Sequence, residues 1–431
     1  MKHYSMSESF VKYSTHINNI LFNPSIAHIR DDFFIISVRS FKNDTSKPID
    51  KNPVLYKNKQ HPWNSNWKGI DGKGEDCTYL FIAEKTKDEF NIIEIVPNII
   101  KYQDARIFKF DENDKNVSYI MTYNKSFHGK DIVIEHGETC ASWCYIIGFS
   151  YLLVNKKDFT VSIFESKEPL CPNISNMIEK NWSLWRYDTK LVHLIASYTL
   201  VPQHKAFSVR LESIIDNQLK ANSMCDMFNL KTSKTTFFDK LEEFYDKNLN
   251  ISLSTPAYPI KKNIYQAVGH MKVKREYLKT LDDKSKLGKF VKKYMTNTKN
   301  TIFHERFIYF MFIYHFQVDK KQNDSYEIPK ISDTVQLPLQ EFGITERYTI
   351  DVIGSSPAFI IEPDTYHYFL NFPAGQVIMN NGNTLISYGN GDFRSHIVEI
   401  TRSEMKELVN DINSKTQPST FKFKRLEPEK N

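Results

Sequence analysis

Short runs of alternating apolar and polar residues, broken by polar turns, recur along almost the whole chain and leave room for little else. "DDFFIISVRSF" (Asp31–Phe41), "CTYLFIAEK" (Cys77–Lys85) and "FNIIEIVPNI" (Phe90–Ile99) come first. "ARIFKFD", "VSYIMTYN" and "YIIGFSYLLVN" follow, and then "ERFIYFMFIYHFQVD", "YTIDVIGSSPAFII" and "SHIVEIT". A period of two with turn chemistry such as Asn381-Gly382 between runs predicts an all-β sandwich, barrel or propeller. Two stretches break the pattern. "TTFFDKLEEFYDKN", within about 210–248, carries Phe237, Phe238, Leu241 and Phe244 at helical spacing, and "DDKSKLGKFVKKYMTNT" (282–298) is a second, Lys-rich helix candidate. Both read as helical insertions between strands. Asn43–Gly74, with several Pro and Trp, reads as a long loop, and the chain after Met405 as a short helix followed by a loose tail. Residues 1–22 read as a lead, 23–404 as one β domain and 405–431 as the C-terminal helix and tail.

A chain of 431 residues can bury a large core. Its 57 basic residues, against 51 acidic, divide into 11 Arg and 46 Lys, and no basic tract concentrates them. Lys-rich, Arg-poor composition is poor material for bidentate phosphate or base recognition, so a nucleic-acid partner is not expected. Cys77, Cys140, Cys144, Cys171 and Cys225 show no paired metal-ligand spacing; an odd set without a leader-like start predicts reduced thiols in the cytoplasm. The longest apolar run, Phe307–Phe316, is too short to span a bilayer as a helix, so no membrane insertion is expected. There is no G-x-x-x-x-G-K-[ST], no H-E-x-x-H and no strand-turn-helix G-x-G-x-x-G, and neither metal nor cofactor is implied. Aromatics make up 14% of the chain, which suits strands and cores first and sugar stacking second.

A looser repeat runs through the strands: a polar cluster, then strand, turn and strand. The clusters are "NPSIAHIR" from Asn23, "YQDARIF" from Tyr102, "EKNWSLW" from Glu179, "YQAVGHMK" from Tyr265 and "SYGNGDF" from Ser387. One cluster per blade is what a divergent propeller presents to its central funnel. "DARIF" raises a sharper question, because Asp104 and Arg106 are either a surface ion pair or a carboxylic acid and a cation set beside a substrate. Arg39, ending an alternating strand, is a candidate anion contact. Trp182 is a stacking or a core residue, His270 a ligand contact or a structural histidine, and Asp392 a sugar ligand or a turn cap.

Taken in order, the five clusters resemble those of five-bladed β-propeller carbohydrate-active enzymes, the β-mannoside phosphorylases and related β-mannosyltransferases, over Asn23 to Thr401. Where those families usually have Asp-Pro-Arg, this chain has Asp104-Ala105-Arg106. The resemblance implies that Asp104 is the acid/base in a funnel. It implies substrate contacts from Asn23, Arg39, Arg106, Lys180, Asn181, His270, Tyr388 and Asp392. A single carboxylate suffices when phosphate is leaving group or nucleophile, whereas hydrolysis usually needs two; Asp392 and Glu179 are the candidates for a second. The expected activity is glycosyl transfer to a glycan acceptor from a sugar nucleotide or sugar phosphate, on mannosides or related sugars. The alternatives are a phosphorylase or hydrolase of the same fold, or a non-catalytic propeller that binds glycans or proteins.

Overall fold

A computed structural model of the chain describes residues 1–6, 10, 19–42, 76–97, 100–127, 144–166, 170, 181–186, 193–200, 205–210, 225–229, 249–274, 307–321, 347–356, 358–361, 371–390, 394–411 and 423–426. Among these, the protein is all-β apart from one helix of more than a single residue, Arg402–Leu408. The first sheet is Asn19–Arg30, Phe33–Lys42, Asp76–Lys85 and Phe90–Ile95, each strand antiparallel to the next. Gln103–Glu112, Asn116–Phe127, Cys144–Asn155 and Val161–Glu165 form the second in the same way. The third is Ser183–Trp185, His193–Thr199, Lys205–Arg210 and Cys225–Asn229. An eight-stranded fourth sheet is built around Ile264–Lys274 and Phe307–Lys321. The fifth is Asn371–Ile378, Thr384–Asn390 and Arg394–Ile400, to which the N-terminal Lys2–Ser5 adds an antiparallel outer strand.

The sheets pack face to face in a propeller-like arrangement, and this explains why the alternation is only partly polar. In "FFIISV", Phe34, Ile36 and Val38 enter a core shared with the fifth sheet (Val377, Leu385, Ile397), while Ile35 enters a core shared with the second (Ile107, Met121, Leu152). Odd and even positions are thus both buried, each against a different neighbour. Phe108 and Ile120 carry the pattern on to Trp182, Leu184 and Leu194 of the third sheet. Leu184 accepts from the Ala257 amide (2.8 Å) and Trp185 packs on Tyr265 (5.1 Å), joining the third sheet to the fourth. Val268, Met311 and Ile313 meet Ile386, Tyr388 and Val398 of the fifth, which returns to the first.

Where first strands crowd together, their free edges are satisfied by small hydroxyl side chains. Ser25 Oγ accepts from the Ile107 amide (3.1 Å), Ser37 donates to the Ala105 carbonyl (3.1 Å) and Ser183 to the Thr255 carbonyl (2.7 Å). Gly375 leaves no room for a side chain, since a Cβ there would lie 2.4 Å from the Ile26 nitrogen.

Several sequence expectations need correcting. Residues 2–5, read as part of a lead, close the fifth sheet instead; Tyr4 is buried there and its hydroxyl donates to Glu399 (2.8 Å). The stretch 210–248, read as a helical insertion, contains Cys225–Asn229, the outer strand of the third sheet. Its helix candidate, the one at 282–298 and the loop at 43–74 lie outside the described residues. The C-terminal helix begins at Arg402, before Met405, because Thr401 and Glu404 form a reciprocal capping box. Beyond it, in what reads as a loose tail, Phe423–Leu426 pairs in parallel with Ala358–Ile361. The long apolar run is a strand of the fourth sheet, and no described helix is long and apolar enough to cross a membrane.

Candidate active site

The same local device occurs in or just before three first strands. Asn23 (φ 50°), Asp104 (φ 50°) and Asn181 (φ 65°) all adopt the left-handed conformation. At Asn23 and Asp104 the register also slips, between Phe22 and Ser25 and between Gln103 and Arg106. Asn and Asp tolerate this backbone better than other side-chain-bearing residues, which accounts for the residue type at all three places. A bulge there re-aims the side chain.

At Asp104 the result is a carboxylate gripped from two sheets. Asn23 Nδ2 donates to Oδ1 (3.1 Å), and Arg39 Nη1 donates to Oδ1 (3.2 Å) and Oδ2 (3.3 Å). Asn124 Nδ2, from the second strand of Asp104's own sheet, donates to Oδ2 (3.4 Å). Asp104 itself is 8% exposed. Arg39 also lies over the Phe22 ring, 5.1 Å from its centre. Asn23 in turn is seated on Gly389 of the fifth sheet, where a Cβ would come within 1.9 Å of Asn23 Oδ1.

The ion pair of Asp104 is therefore with Arg39, from the neighbouring sheet, rather than with Arg106. Arg106 turns the other way: Nη1 donates to the Asp104 backbone carbonyl (3.2 Å) and Nη2 to Asn181 Oδ1 (2.6 Å). Its guanidinium lies over Phe372 (5.5 Å), and Nε has no partner among the described residues. Burial pulls its pKa down to about 10, with Asp104 opposing the shift.

His270 stands beside Phe372 (ring centres 5.0 Å apart) and stacks on Tyr309. Its Nδ1 shares a 2.5 Å hydrogen bond with Ser254 Oγ, and the buried Nε2 is unpartnered among the described residues. Burial first, then Lys272 and Arg106, hold it well below the ordinary histidine range, so it is a neutral ring at neutral pH. The line Arg39, Asp104, Arg106, Phe372, His270 is continuous through these contacts, with side chains drawn from four sheets and Asn181 reaching in from the third.

Of the residues expected from sequence, Asn23, Arg39, Asp104, Arg106, Asn181 and His270 come together in this cluster. Tyr388 does not join it by any described contact. Its ring is buried between the fourth and fifth sheets and its hydroxyl pairs with His3 Nε2 (3.1 Å), while the adjacent Gly389 faces Asn23. Trp182 is a core residue, edge-on to Tyr198. Lys180, Glu179 and Asp392 lie outside the described residues. Sequence reasoning missed Asn124, Ser254 and Phe372. Only Asn124, a polar end to the apolar strand "VSYIMTYN", leaves a visible trace. The described residues contain no group of three or more His, Cys, Asp or Glu that could hold a metal ion.

No family model matches the sequence, and no curated protein matches it either. Solved structures similar to this chain include a mannose phosphorylase from Leishmania mexicana in complex with phosphate ion, at 12% identity and TM-score 0.40, covering 92% of this chain and 88% of that one. A GDP-Man-dependent mannosyltransferase from Leishmania mexicana is similar at 11% identity and TM-score 0.41, with 92% and 90% covered. A β-1,2-mannobiose phosphorylase from Listeria innocua is similar at 11% identity and TM-score 0.39, with 90% and 92% covered. The solved structures similar to this chain thus include both kinds of enzyme that its five polar clusters resemble, mannoside phosphorylase and mannosyltransferase.

Proposed function

We propose that the protein is a five-bladed β-propeller glycosyltransferase of the cytoplasm, formed by residues 23–404 and closed by the N-terminal strand. It acts on mannosides or related sugars and uses a sugar nucleotide or sugar phosphate as donor. The observation that carries this reading is a carboxylate held by Asn23, Arg39 and Asn124 beside a fully buried guanidinium that bonds no carboxylate among the described residues. A buried cation satisfied, among the described residues, by a carbonyl and an amide oxygen alone favours an anionic ligand. In transfer, Asp104 takes the proton of the acceptor hydroxyl as its oxygen bonds to the anomeric carbon. The bond to phosphate breaks with its electron pair on the phosphate oxygen, beside Arg106 and His270. Lys180 and Asp392 complete the ligand set in this proposal.

Phosphorolysis is the same step reversed, with Asp104 returning a proton to the glycosidic oxygen, and it is the second reading. Among the described residues Asp104 is the carboxylate at the cluster, which favours phosphate chemistry over two-carboxylate hydrolysis. Calorimetric titration with GDP-mannose, mannose 1-phosphate and neutral mannobiose tests the proposal. The anionic sugars should bind, and Arg106→Met should abolish or strongly weaken that binding. Tighter binding of mannobiose than of either anion would overturn the anionic-donor reading.

A further inference from the structure

Asn124 has a geometry that a purely structural amide would not need. It is fully buried on the second strand of the second sheet, opposite Gln103. Only its nitrogen can donate to the Asp104 carboxylate, so the amide's orientation is fixed and its oxygen faces away from Asp104. That oxygen has no partner among the described residues. Asn23 Oδ1 is also unpartnered, but it is closed off by the Gly389 backbone. The neighbours Tyr123 and Lys125 are engaged elsewhere: Tyr123 stacks on Tyr102 (4.7 Å) and the Lys125 ammonium lies over the Tyr102 ring (4.8 Å). Buried acceptors are nearly always satisfied, so an unpartnered one beside a held carboxylate marks a place where a ligand donor belongs.

We propose that Asn124 both positions Asp104 and reads the sugar: its nitrogen holds the carboxylate, and its oxygen accepts from a ligand hydroxyl next to the one Asp104 engages. This rests on the sugar-transfer reading above and adds a specificity-determining residue to it. A site built to bond a hydroxyl rejects the analogue lacking it much more strongly than a site that merely encloses the sugar.

The test is a cycle of ligand and protein changes, read by calorimetry with mannose 1-phosphate and its monodeoxy analogues. Wild type should bind one deoxy analogue about 10-fold or more weakly than the parent. Asn124→Ala should bind parent and that analogue about equally. Should Asn124→Ala fail to fold, Asn124→Asp serves: it keeps an acceptor oxygen but cannot donate to Asp104. That variant should retain the discrimination while kcat falls and the acid limb of its pH profile moves upward, because two carboxylates then share the site. Full discrimination retained in Asn124→Ala, or discrimination lost together with an unmoved pH profile in Asn124→Asp, overturns the assignment. A wild-type protein that binds no sugar phosphate or sugar nucleotide fails at an earlier step: the sugar reading falls, and this inference with it.

Discussion

Arg106→Met is the substitution in which stability and function should part company. The guanidinium is fully buried, and its pKa falls from 12.5 to about 10. At about 1.36 kcal/mol per pH unit, that drop corresponds to roughly 3 kcal/mol against the charged form. The sign is fixed at neutral pH, where folded and unfolded chains both carry the proton, so the whole cost is present there. Methionine keeps much of the volume and removes that cost, but it leaves the buried Asp104 carbonyl without its donor, at about 1–3 kcal/mol, whereas the half-buried Asn181 Oδ1 can turn to water. The two effects nearly cancel. The ligand-free variant should unfold in urea within about 1–2 kcal/mol of wild type, in either direction, with m unchanged. Thermal shift with mannose 1-phosphate should then disappear. A ligand-free loss of more than about 4 kcal/mol would make Arg106 a structural post and refute the reasoning. So would an undiminished ligand shift.

Three other perturbations follow from the geometry. Gly389→Ala places a Cβ 1.9 Å from Asn23 Oδ1; it should fold with a loss of about 1–3 kcal/mol and lose sugar-phosphate affinity through Asn23, and unchanged titrations would show that Asn23 is dispensable. His3 and His315 are held down to about 4, and His270 and His396 well below 6.5, all chiefly by burial. Folded-state values below the unfolded one mean that stability is complete above about pH 6.5 and is lost as the pH falls towards 4, because the unfolded chain takes protons first; urea melts at a series of pH values should show this fall, and a flat profile would contradict it. Deleting residues 1–5 removes the outer strand of the fifth sheet and the buried Tyr4; calorimetry should record a lower Tm, with at least about 2 kcal/mol lost from Tyr4 alone.

The sheet architecture was readable because each strand carries apolar residues on both faces, and period-two runs such as "DDFFIISVRSF" survive even when two interfaces compete for them. Two short outer strands were not readable. "KHYS" and "FKRL" are four residues each, too short to show a period, and their pairing depends on partners hundreds of residues away or on a fold already formed. At the candidate site, "DARIF" suggested an Asp104–Arg106 pair that the structure does not form through the carboxylate. Asp104 and Arg106 sit two apart, yet the left-handed turn at Asp104 sends its carboxylate to Arg39 across 65 residues of sequence. Strand alternation puts Gly389, not Tyr388, on the face that meets Asn23. Asn124 and Phe372 carry no local signature, since what distinguishes them is which side chains of other sheets they touch.

Turnover by Asp104→Asn is the most direct test of the central claim that this carboxylate moves the proton in sugar transfer. The assay pairs a mannosyl phosphate or sugar nucleotide donor with a mannoside acceptor, and affinity is measured on the same preparation by titration. Asparagine preserves the size of the side chain but cannot take the proton. A general acid/base contributes about 10²–10⁴-fold, so kcat should fall by a factor in that range, with donor affinity retained within a few-fold. Wild-type turnover in a folded Asp104→Asn protein would contradict the account.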